Sequence, residues 1–190
     1  AVWQCGAVPV YTDVCEDTFL IDPTNIEKKI TKKTKAIITV SLYGLPCETK
    51  KIKKIAKKHN ISVIEDNAQC FLGKSDGKIA GSFSDITSYS FENSKHMSCG
   101  EGGIITTNNR KYAELCRKIG GHGFKNLKAE EGRIKLDSSV FQNPHYKRHS
   151  YIGWNYRLPE FNAAIALAQL EELEELVEKR IKCANFFLEE

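Results

Sequence analysis

Short apolar runs alternate with longer amphipathic segments over most of the chain, a pattern typical of strands joined by helices. The apolar runs predict five strands, at 8–14, 36–42, 61–64, 85–91 and 103–107. Apolar residues at helical spacing between them predict helices at 25–30, 49–59 and 111–119. This alternation favours an α/β fold with a mostly parallel sheet flanked by helices. Ligands of such sheets bind beyond the carboxyl ends of the strands, so candidate chemistry is expected there.

The regular alternation stops at residue 120. Glycines, Pro144 and mixed charges interrupt the stretch from 120 to 151, which predicts a long irregular excursion. Loops of this length are uncommon and are often functional. From Pro159 to Glu190 apolar residues keep helical spacing, which predicts one long amphipathic helix whose first turn tolerates the proline.

Composition and charge are those of an ordinary globular protein. The 190 residues are 41% hydrophobic and 27% charged, with a net charge of +4. This charge excess is too small to predict a nucleic-acid partner. The lysine-rich helix 49–59 lacks interleaved aromatic residues, so its lysines are interpreted as a solvated outer face. No apolar run approaches the roughly 20 residues that cross a bilayer, and Ala1–Ala7 lacks the features of a signal peptide, so a cytoplasmic protein without membrane contact is expected.

The seven cysteines do not form a recognisable pattern. Their number is odd, and neither a Cys-x-x-Cys pair nor a mixed Cys/His cluster occurs in the sequence. Reduced thiols that pack as small buried residues are the simplest interpretation, and no metal site is predicted.

Two charged residues stand near predicted strand exits. Asp66 follows the apolar run 61–64, where a buried carboxylate requires a cationic partner; a residue that caps the next segment is the alternative. Lys95 is the only lysine or arginine in the segment 90–103. Desolvation lowers the pKa of a lysine, and a neutral amine can condense with an aldehyde, although most lysines simply face solvent. The glycines at 100–103 indicate a tight turn or close packing.

Further motifs along the chain give these two residues a context. They are Gly6-Ala7-x-Pro9-Val10, Leu42-Tyr43-Gly44, Asp66 with Gln69, Ser90-Phe91 with Lys95, Gly100-Glu101-Gly102-Gly103, Gly121-His122-Gly123, Gly153-Trp154-Asn155-Tyr156-Arg157, Ala163-Ala164 and Gln169-Leu170. The combination resembles the DegT/StrS-type (DegT/DnrJ/EryC1/StrS) sugar aminotransferases, which are pyridoxal-phosphate enzymes of fold type I. The resemblance covers essentially the whole chain and implies the large domain of that fold.

The resemblance also implies a role for five residues. Lys95 matches the family's Schiff-base position, where it would hold pyridoxal 5'-phosphate and move a proton during transfer. Asp66 matches the residue that keeps the pyridinium nitrogen protonated. Gln69 would pack against a face of the ring, and the Ser90 hydroxyl would bind the phosphate. Asn155 matches an asparagine that reaches the neighbouring subunit's cofactor, which implies a homodimer with shared sites.

The activity implied is transfer of an amino group, from L-glutamate, to a nucleotide-linked keto sugar for a surface polysaccharide, such as lipopolysaccharide, or another glycan. A nucleotide-sugar dehydratase of the same family is one alternative; in those enzymes a histidine replaces the lysine, whereas here His96 is only adjacent to Lys95. A non-catalytic relative that binds pyridoxal phosphate or a sugar nucleotide is another. A nicotinamide dehydrogenase is disfavoured because no Gly-x-Gly-x-x-Gly follows the first predicted strand.

Some positions depart from the family pattern. Ser41 stands where a histidine usually precedes Leu-Tyr-Gly, and Leu72 stands where a glycine usually follows the glutamine. The excursion 124–149 either shapes the sugar pocket, forms a subunit contact or is a surface insertion.

The predicted organisation is that of an internal fragment. Residues 1–150 are assigned to part of the large cofactor-binding domain. Residues 151–190 are assigned to a partner-contacting segment and a long helix that leads towards a small C-terminal domain. The family's phosphate-binding loop and that small domain are expected outside the chain.

Overall fold

A four-stranded sheet lies at the centre of the structure, a computed structural model that describes residues 1–189. The helices are a 3-10 turn at Trp3–Cys5, then α1 (Pro23–Lys29), α2 (Thr49–Lys58), α3 (Arg110–Gly120), α4 (Ser138–Gln142), α5 (Glu160–Glu171) and α6 (Leu173–Glu189). The strands are β1 (Ala36–Val40), β2 (Ser62–Asp66), β3 (Lys74–Ser75), β4 (Lys78–Ile79), β5 (Ile86–Ser90), β6 (Gly103–Thr106), β7 (Leu127–Lys128) and β8 (Gly132–Arg133).

The central sheet has the strand order β1-β2-β5-β6. Strands β1, β2 and β5 are parallel, and β6 is antiparallel to β5. Val40, Asp66 and Ser88 pair across the three parallel strands, so these strands end at the same edge of the sheet. The predicted mostly parallel α/β architecture is confirmed.

Helix α2 joins β1 to β2 and packs on one face of the sheet because of its narrow apolar stripe. Ile52 and Ala56 are fully buried in a cluster with Ile37 and Val63. Most of the lysines of this helix face solvent, as predicted from their spacing. Lys53 is an exception, because it forms an ion pair with Asp85 just before β5. The amphipathic pattern therefore determines which side of α2 covers the sheet.

Two predicted elements are wrong in extent or kind. The run 8–14 is not a strand: it contains only an isolated bridge between Val14 and Ile21, and Val8 is 83% exposed. Pro9 has no N–H to donate, and within residues 1–189 no neighbouring strand pairs with the run. The predicted helix 159–190 is two helices that break at Glu172, so that Leu173 turns into the core; Glu190 lies outside the described residues.

The excursion 120–151 is irregular, as predicted, apart from the small β7–β8 hairpin and the short helix α4. Its two ends come together where Phe124 forms an isolated bridge with His149 and the Lys125 amide donates to the Arg148 carbonyl at 2.9 Å. The excursion is therefore closed at its base.

The cysteines are unpaired throughout, but their burial differs from the prediction. Cys47, Cys70 and Cys99 are buried, whereas Cys5 and Cys183 are exposed. Burial raises the pKa of the Cys70 thiol to about 11. Only the thiols near the sheet thus behave as small core residues. No helix within residues 1–189 combines the length and the apolar character that a bilayer crossing requires.

Glu65 is a fully buried carboxyl in β2, the middle one of the three parallel strands. It lies in register with Thr39 on β1 and Thr87 on β5, both of which are also buried. The Thr49 hydroxyl donates to Oε1 at 3.1 Å, and the Gly81 amide donates to Oε2 at 3.0 Å. Burial nevertheless raises the pKa of Glu65, because these two hydrogen bonds offset only part of the lost hydration.

The stability difference between the wild type and Glu65→Gln is therefore expected to depend on pH. The folded carboxyl binds its proton more tightly than the unfolded chain does, which favours folding at low pH. This contribution is complete below the ordinary pKa of glutamate and is lost as pH rises through the raised value, by at most about 1.4 kcal/mol per pH unit. Urea denaturation of both proteins from about pH 4 to 8 measures it. A pH-independent difference would contradict the prediction, since the glutamine variant cannot titrate.

Candidate active site

Three loops leave the carboxyl ends of the parallel strands side by side. Main-chain hydrogen bonds continue the sheet past its last paired residues: the Ser41 amide donates to the Asp66 carbonyl at 3.0 Å, and the Asn67 amide donates to the Ser88 carbonyl at 2.9 Å. The loop after β1 thus lies against the loop after β2, and that loop lies against the end of β5. This edge is where the parallel topology predicts a ligand site.

Asp66 is the half-buried last residue of β2. Successive side chains of a strand point to opposite faces, so Asp66 faces away from the buried layer around Glu65. Its Oδ1 accepts from the Ala68 amide at 3.0 Å, which is the capping contact that sequence reasoning left open. The expected cationic partner is missing within residues 1–189, where Oδ2 makes neither a hydrogen bond nor an ion pair. One carboxylate oxygen therefore stays available to a ligand.

Gln69 connects the loops after β1 and β2. Its Oε1 accepts from the Tyr43 amide at 3.3 Å, and its carbonyl accepts from the Gly44 amide at 2.8 Å. Both partners have positive φ, 50° at Tyr43 and 86° at Gly44, and glycine adopts this conformation without the steric cost of a Cβ. The Leu-Tyr-Gly motif thus forms the turn that seats the Gln69 side chain.

Lys95 follows a tight turn at the end of β5. The Ser90 hydroxyl accepts from the Glu92 amide at 3.3 Å, and the Lys95 amide donates to the Glu92 carbonyl at 3.1 Å. Lys95 is half-buried, and in the described part of the chain its Nζ has no hydrogen bond or ion pair. The structure thus brings Asp66, Gln69, Ser90 and Lys95 to one edge of the sheet.

Asn155 belongs to a separate segment that follows the excursion. It forms an isolated bridge with Gly121 after α3, and its Oδ1 accepts from Arg157 Nε at 3.0 Å. No hydrogen bond joins it to the other four within residues 1–189. A Cβ on Gly153 would lie 2.1 Å from the Gly123 amide nitrogen, so both glycines are required where this segment crosses the base of the excursion. The segment that carries Asn155 is therefore fixed by close main-chain packing against the base of the excursion.

His96 is turned away from the open side of this edge. Its ring centroid lies 5.3 Å from that of Phe71, and its Nδ1 is buried without a hydrogen-bond partner. Burial, and then the positive charges of Arg180 and Lys95, lower the pKa of His96. An imidazole packed on Phe71 in this way does not take the place of Lys95 at the sheet edge.

Sequence reasoning missed three polar side chains of α5 and α6 that hold the segment after Ser90. The contacts are Asn162 Nδ2 to the Cys99 carbonyl at 2.7 Å, the Ser98 amide to Gln169 Oε1 at 3.3 Å, and Arg180 Nη2 to the Lys95 carbonyl at 2.8 Å. Each residue acts on main-chain atoms from a distant helix. Of these three residues, only Gln169 belongs to a motif named in the sequence analysis, and no role was assigned to it there.

The four groups at the sheet edge form a chemically coherent set. A carboxylate with one free oxygen suits a protonated ring nitrogen, and a hydroxyl suits a phosphate. A half-buried amine without an ion pair suits an aldehyde. The amide of Gln69 completes a site for a polar aromatic cofactor.

Comparison with known proteins places the whole chain in one group. A model of the DegT/DnrJ/EryC1/StrS aminotransferase family matches residues 1–190. GDP-perosamine synthase of Escherichia coli O157:H7 is 35% identical over 187 residues, which are 98% of this chain and 47% of that protein. The chain therefore spans about half the length of the curated relatives it matches.

Solved structures of related proteins support the same family assignment. An aminotransferase from Psychrobacter cryohalolentis superimposes with a TM-score of 0.79 at 34% identity, over 92% of this chain and 42% of that one. A GDP-4-keto-6-deoxy-D-mannose-3-dehydratase from Escherichia coli, solved with bound hydrated pyridoxal phosphate, gives a TM-score of 0.84 at 29% identity, over 99% and 48%. The predicted fold type I architecture is confirmed by these neighbours. With its full-length match and this shared fold, the chain belongs to the DegT/DnrJ/EryC1/StrS aminotransferase family.

Proposed function

We propose that the protein is a pyridoxal-phosphate-dependent aminotransferase that moves an amino group from L-glutamate to a nucleotide-linked keto sugar. The observation that carries this proposal is the placement of a free carboxylate oxygen at Asp66 and an unpaired amine at Lys95 on neighbouring loops of one sheet edge. Family membership supports the reaction class. The name of the perosamine synthase relative supports a nucleotide-linked sugar as the acceptor.

The residues present fit the cofactor. Pyridoxal phosphate supplies an aldehyde and an electron-withdrawing ring. Asp66 Oδ2 would accept from the ring nitrogen, Ser90 would donate its hydroxyl to the phosphate, and Gln69 would lie against the ring. Lys95 would hold the cofactor through its amine and, once released, carry a proton to or from the substrate carbon.

A nucleotide-sugar dehydratase is the second candidate, because the Escherichia coli dehydratase superimposes with a TM-score of 0.84. The geometry favours the aminotransferase. The resemblance implies a histidine at the lysine position in dehydratases, whereas Lys95 occupies that position and the His96 ring packs on Phe71.

The test of the function is spectroscopic. The intact protein purified with pyridoxal phosphate is expected to absorb near the violet edge of the visible spectrum, and L-glutamate is expected to bleach this band. Nucleotide-linked keto sugars are then screened for recovery of the band. A protein that binds the cofactor but does not respond to glutamate would sink the aminotransferase proposal and favour a non-catalytic relative or a dehydratase.

We also propose a homodimer in which each site uses residues of both subunits. Asn155 makes no hydrogen bond to Asp66, Gln69, Ser90 or Lys95 within residues 1–189, and its neighbours Ile152, Trp154 and Tyr156 are largely exposed apolar residues. Such a patch is unusual on a monomer and fits a subunit interface. In this arrangement residues 151–190 contact the partner, and residues 1–150 form part of the large cofactor domain.

Mixing subunits of two impaired variants tests whether the active sites are shared between subunits. Lys95→Ala and Asn155→Ala subunits are each expected to be impaired alone. In a mixed dimer one of the two sites receives both wild-type residues, so random mixing is expected to restore about one quarter of wild-type activity. Co-expression with two different affinity tags isolates the mixed dimer. If mixed dimers remain as inactive as the parents, the sites are not shared.

We further propose a product class and a cellular location. An amino sugar carried on a nucleotide is a building block for a surface polysaccharide, such as lipopolysaccharide, or another glycan. The unpaired cysteines support a reducing, cytoplasmic location. Immunodetection in cell fractions checks the location.

A further inference from the structure

The segment that carries Lys95 is anchored unequally at its two ends. At the far end, Met97 and Cys99 are buried in the cluster that contains Phe71 and Leu173. At the near end, Ser94 is exposed and Lys95 is only half-buried. The Lys95 amide is held there by a local turn to the Glu92 carbonyl at 3.1 Å. Local turns of this kind open readily unless a tertiary contact stabilises them.

Arg180 supplies the tertiary contact at the near end. Its Nη2 donates to the Lys95 carbonyl at 2.8 Å and approaches the Ser94 carbonyl at 3.4 Å. Hydrogen bonds from a charged donor are stronger than neutral ones. In the described part of the chain the guanidinium has no carboxylate partner, so its donors are directed at these carbonyls.

The position of Arg180 is set by the packing of its helix. Leu173 and Val177 lie on the same side of α6 at helical spacing, and both pack in the cluster that buries Met97. Arg180 comes one turn later on that side. Arg180 itself is an exposed residue and is not among the residues of that cluster.

We propose that Arg180 is a positioning residue for Lys95: it fixes the peptide from which the lysine side chain starts, and so keeps the amine at the Asp66 edge. This inference rests on the proposed function and adds a residue to it. Arginine is better suited to this role than lysine, because its planar guanidinium presents several donors to the two carbonyl groups, whereas lysine has a single ammonium group.

The test compares Arg180→Met and Arg180→Lys with a matched control, Lys179→Met. Lys179 is the preceding residue of α6 and pairs with Glu175 at 2.6 Å on the solvent side. Hydrogen–deuterium exchange is measured on the intact protein without cofactor. Amides of residues 93–96 are expected to exchange about tenfold faster or more in Arg180→Met, with partial protection in Arg180→Lys and wild-type rates in Lys179→Met.

The second readout is the reaction with glutamate after loading with pyridoxal phosphate. A displaced lysine is expected to slow this step by about 10- to 100-fold in Arg180→Met, with little change in KM for glutamate and partial recovery in Arg180→Lys. Unchanged exchange at 93–96, faster exchange throughout the protein, or faster local exchange with an unchanged rate would each overturn the proposal. If the wild type itself fails to react with glutamate, the proposed function fails, while the exchange result still decides whether Arg180 holds the lysine segment.

Discussion

Lys95→Ala is expected to abolish the borohydride-reducible attachment of pyridoxal phosphate and to lower amino transfer by at least about 10³-fold. Lys95 is an amine at the sheet edge that has no competing ion pair among residues 1–189, and it follows β5, the strand next to the one that ends at Asp66. Reduction with borohydride, followed by peptide mapping by mass spectrometry, locates the pyridoxyl group.

Lys111→Ala is a suitable control for this experiment, because Lys111 is an exposed residue of α3, which follows the end of the antiparallel strand β6 at the opposite edge of the sheet. It is expected to keep both the adduct and the activity. A pyridoxyl group on a different lysine in the wild type would show that another amine carries the cofactor.

Asp66→Asn is expected to lower the rate of the glutamate half-reaction by about 30- to 5000-fold, which corresponds to the loss of about 2–5 kcal/mol when one partner of a desolvated charge pair is removed. The asparagine can keep the contact with the Ala68 amide, because its carbonyl oxygen also accepts a hydrogen bond. The change therefore removes charge with little change of shape. Single-turnover absorbance measurements with glutamate give the rate.

Glu65→Gln is the matched control for Asp66→Asn, since the two acids are neighbours on opposite faces of β2. The two variants are expected to separate stability from chemistry. Asp66→Asn should keep the wild-type denaturation midpoint and lose rate, whereas Glu65→Gln should keep the rate and lose the pH dependence of stability. A wild-type rate in Asp66→Asn would remove Asp66 from the site.

Strands β1 and β2 could be predicted from the sequence, because β1 and the start of β2 consist largely of apolar residues. The predicted strand 36–42 and helix 49–59 agree with β1 and α2 to within a few residues. The run 8–14 is just as apolar, but a strand forms only beside another strand with which it can pair. The local sequence pattern does not reveal whether such a neighbour is present. The break at Glu172 was missed for the same reason: apolar spacing continues through it, and the turn follows from the packing of Leu173.

Residues of the site could be predicted from the sequence where a reactive side chain stands at the end of a predicted strand. Asp66 and Ser90 end their strands, and the parallel topology alone brings such ends together. Arg180 could not be found this way. It contacts carbonyl groups, which every residue possesses, so nothing in the sequence of the Lys95 segment reveals its partner.

Because Glu65 and Asp66 face opposite sides of the sheet, a change in the length of β2 would affect both residues. Inserting or deleting one residue within β2 would rotate every following side chain to the other face of the sheet. The acid that the fold keeps buried would then face the open side, and the acid of the site would enter the packed layer beside Thr39 and Thr87. Insertions and deletions are therefore expected to be tolerated in the 124–149 excursion. They are not expected to be tolerated between residues 62 and 66, where a single one would displace both the buried acid that affects stability and the acid of the site.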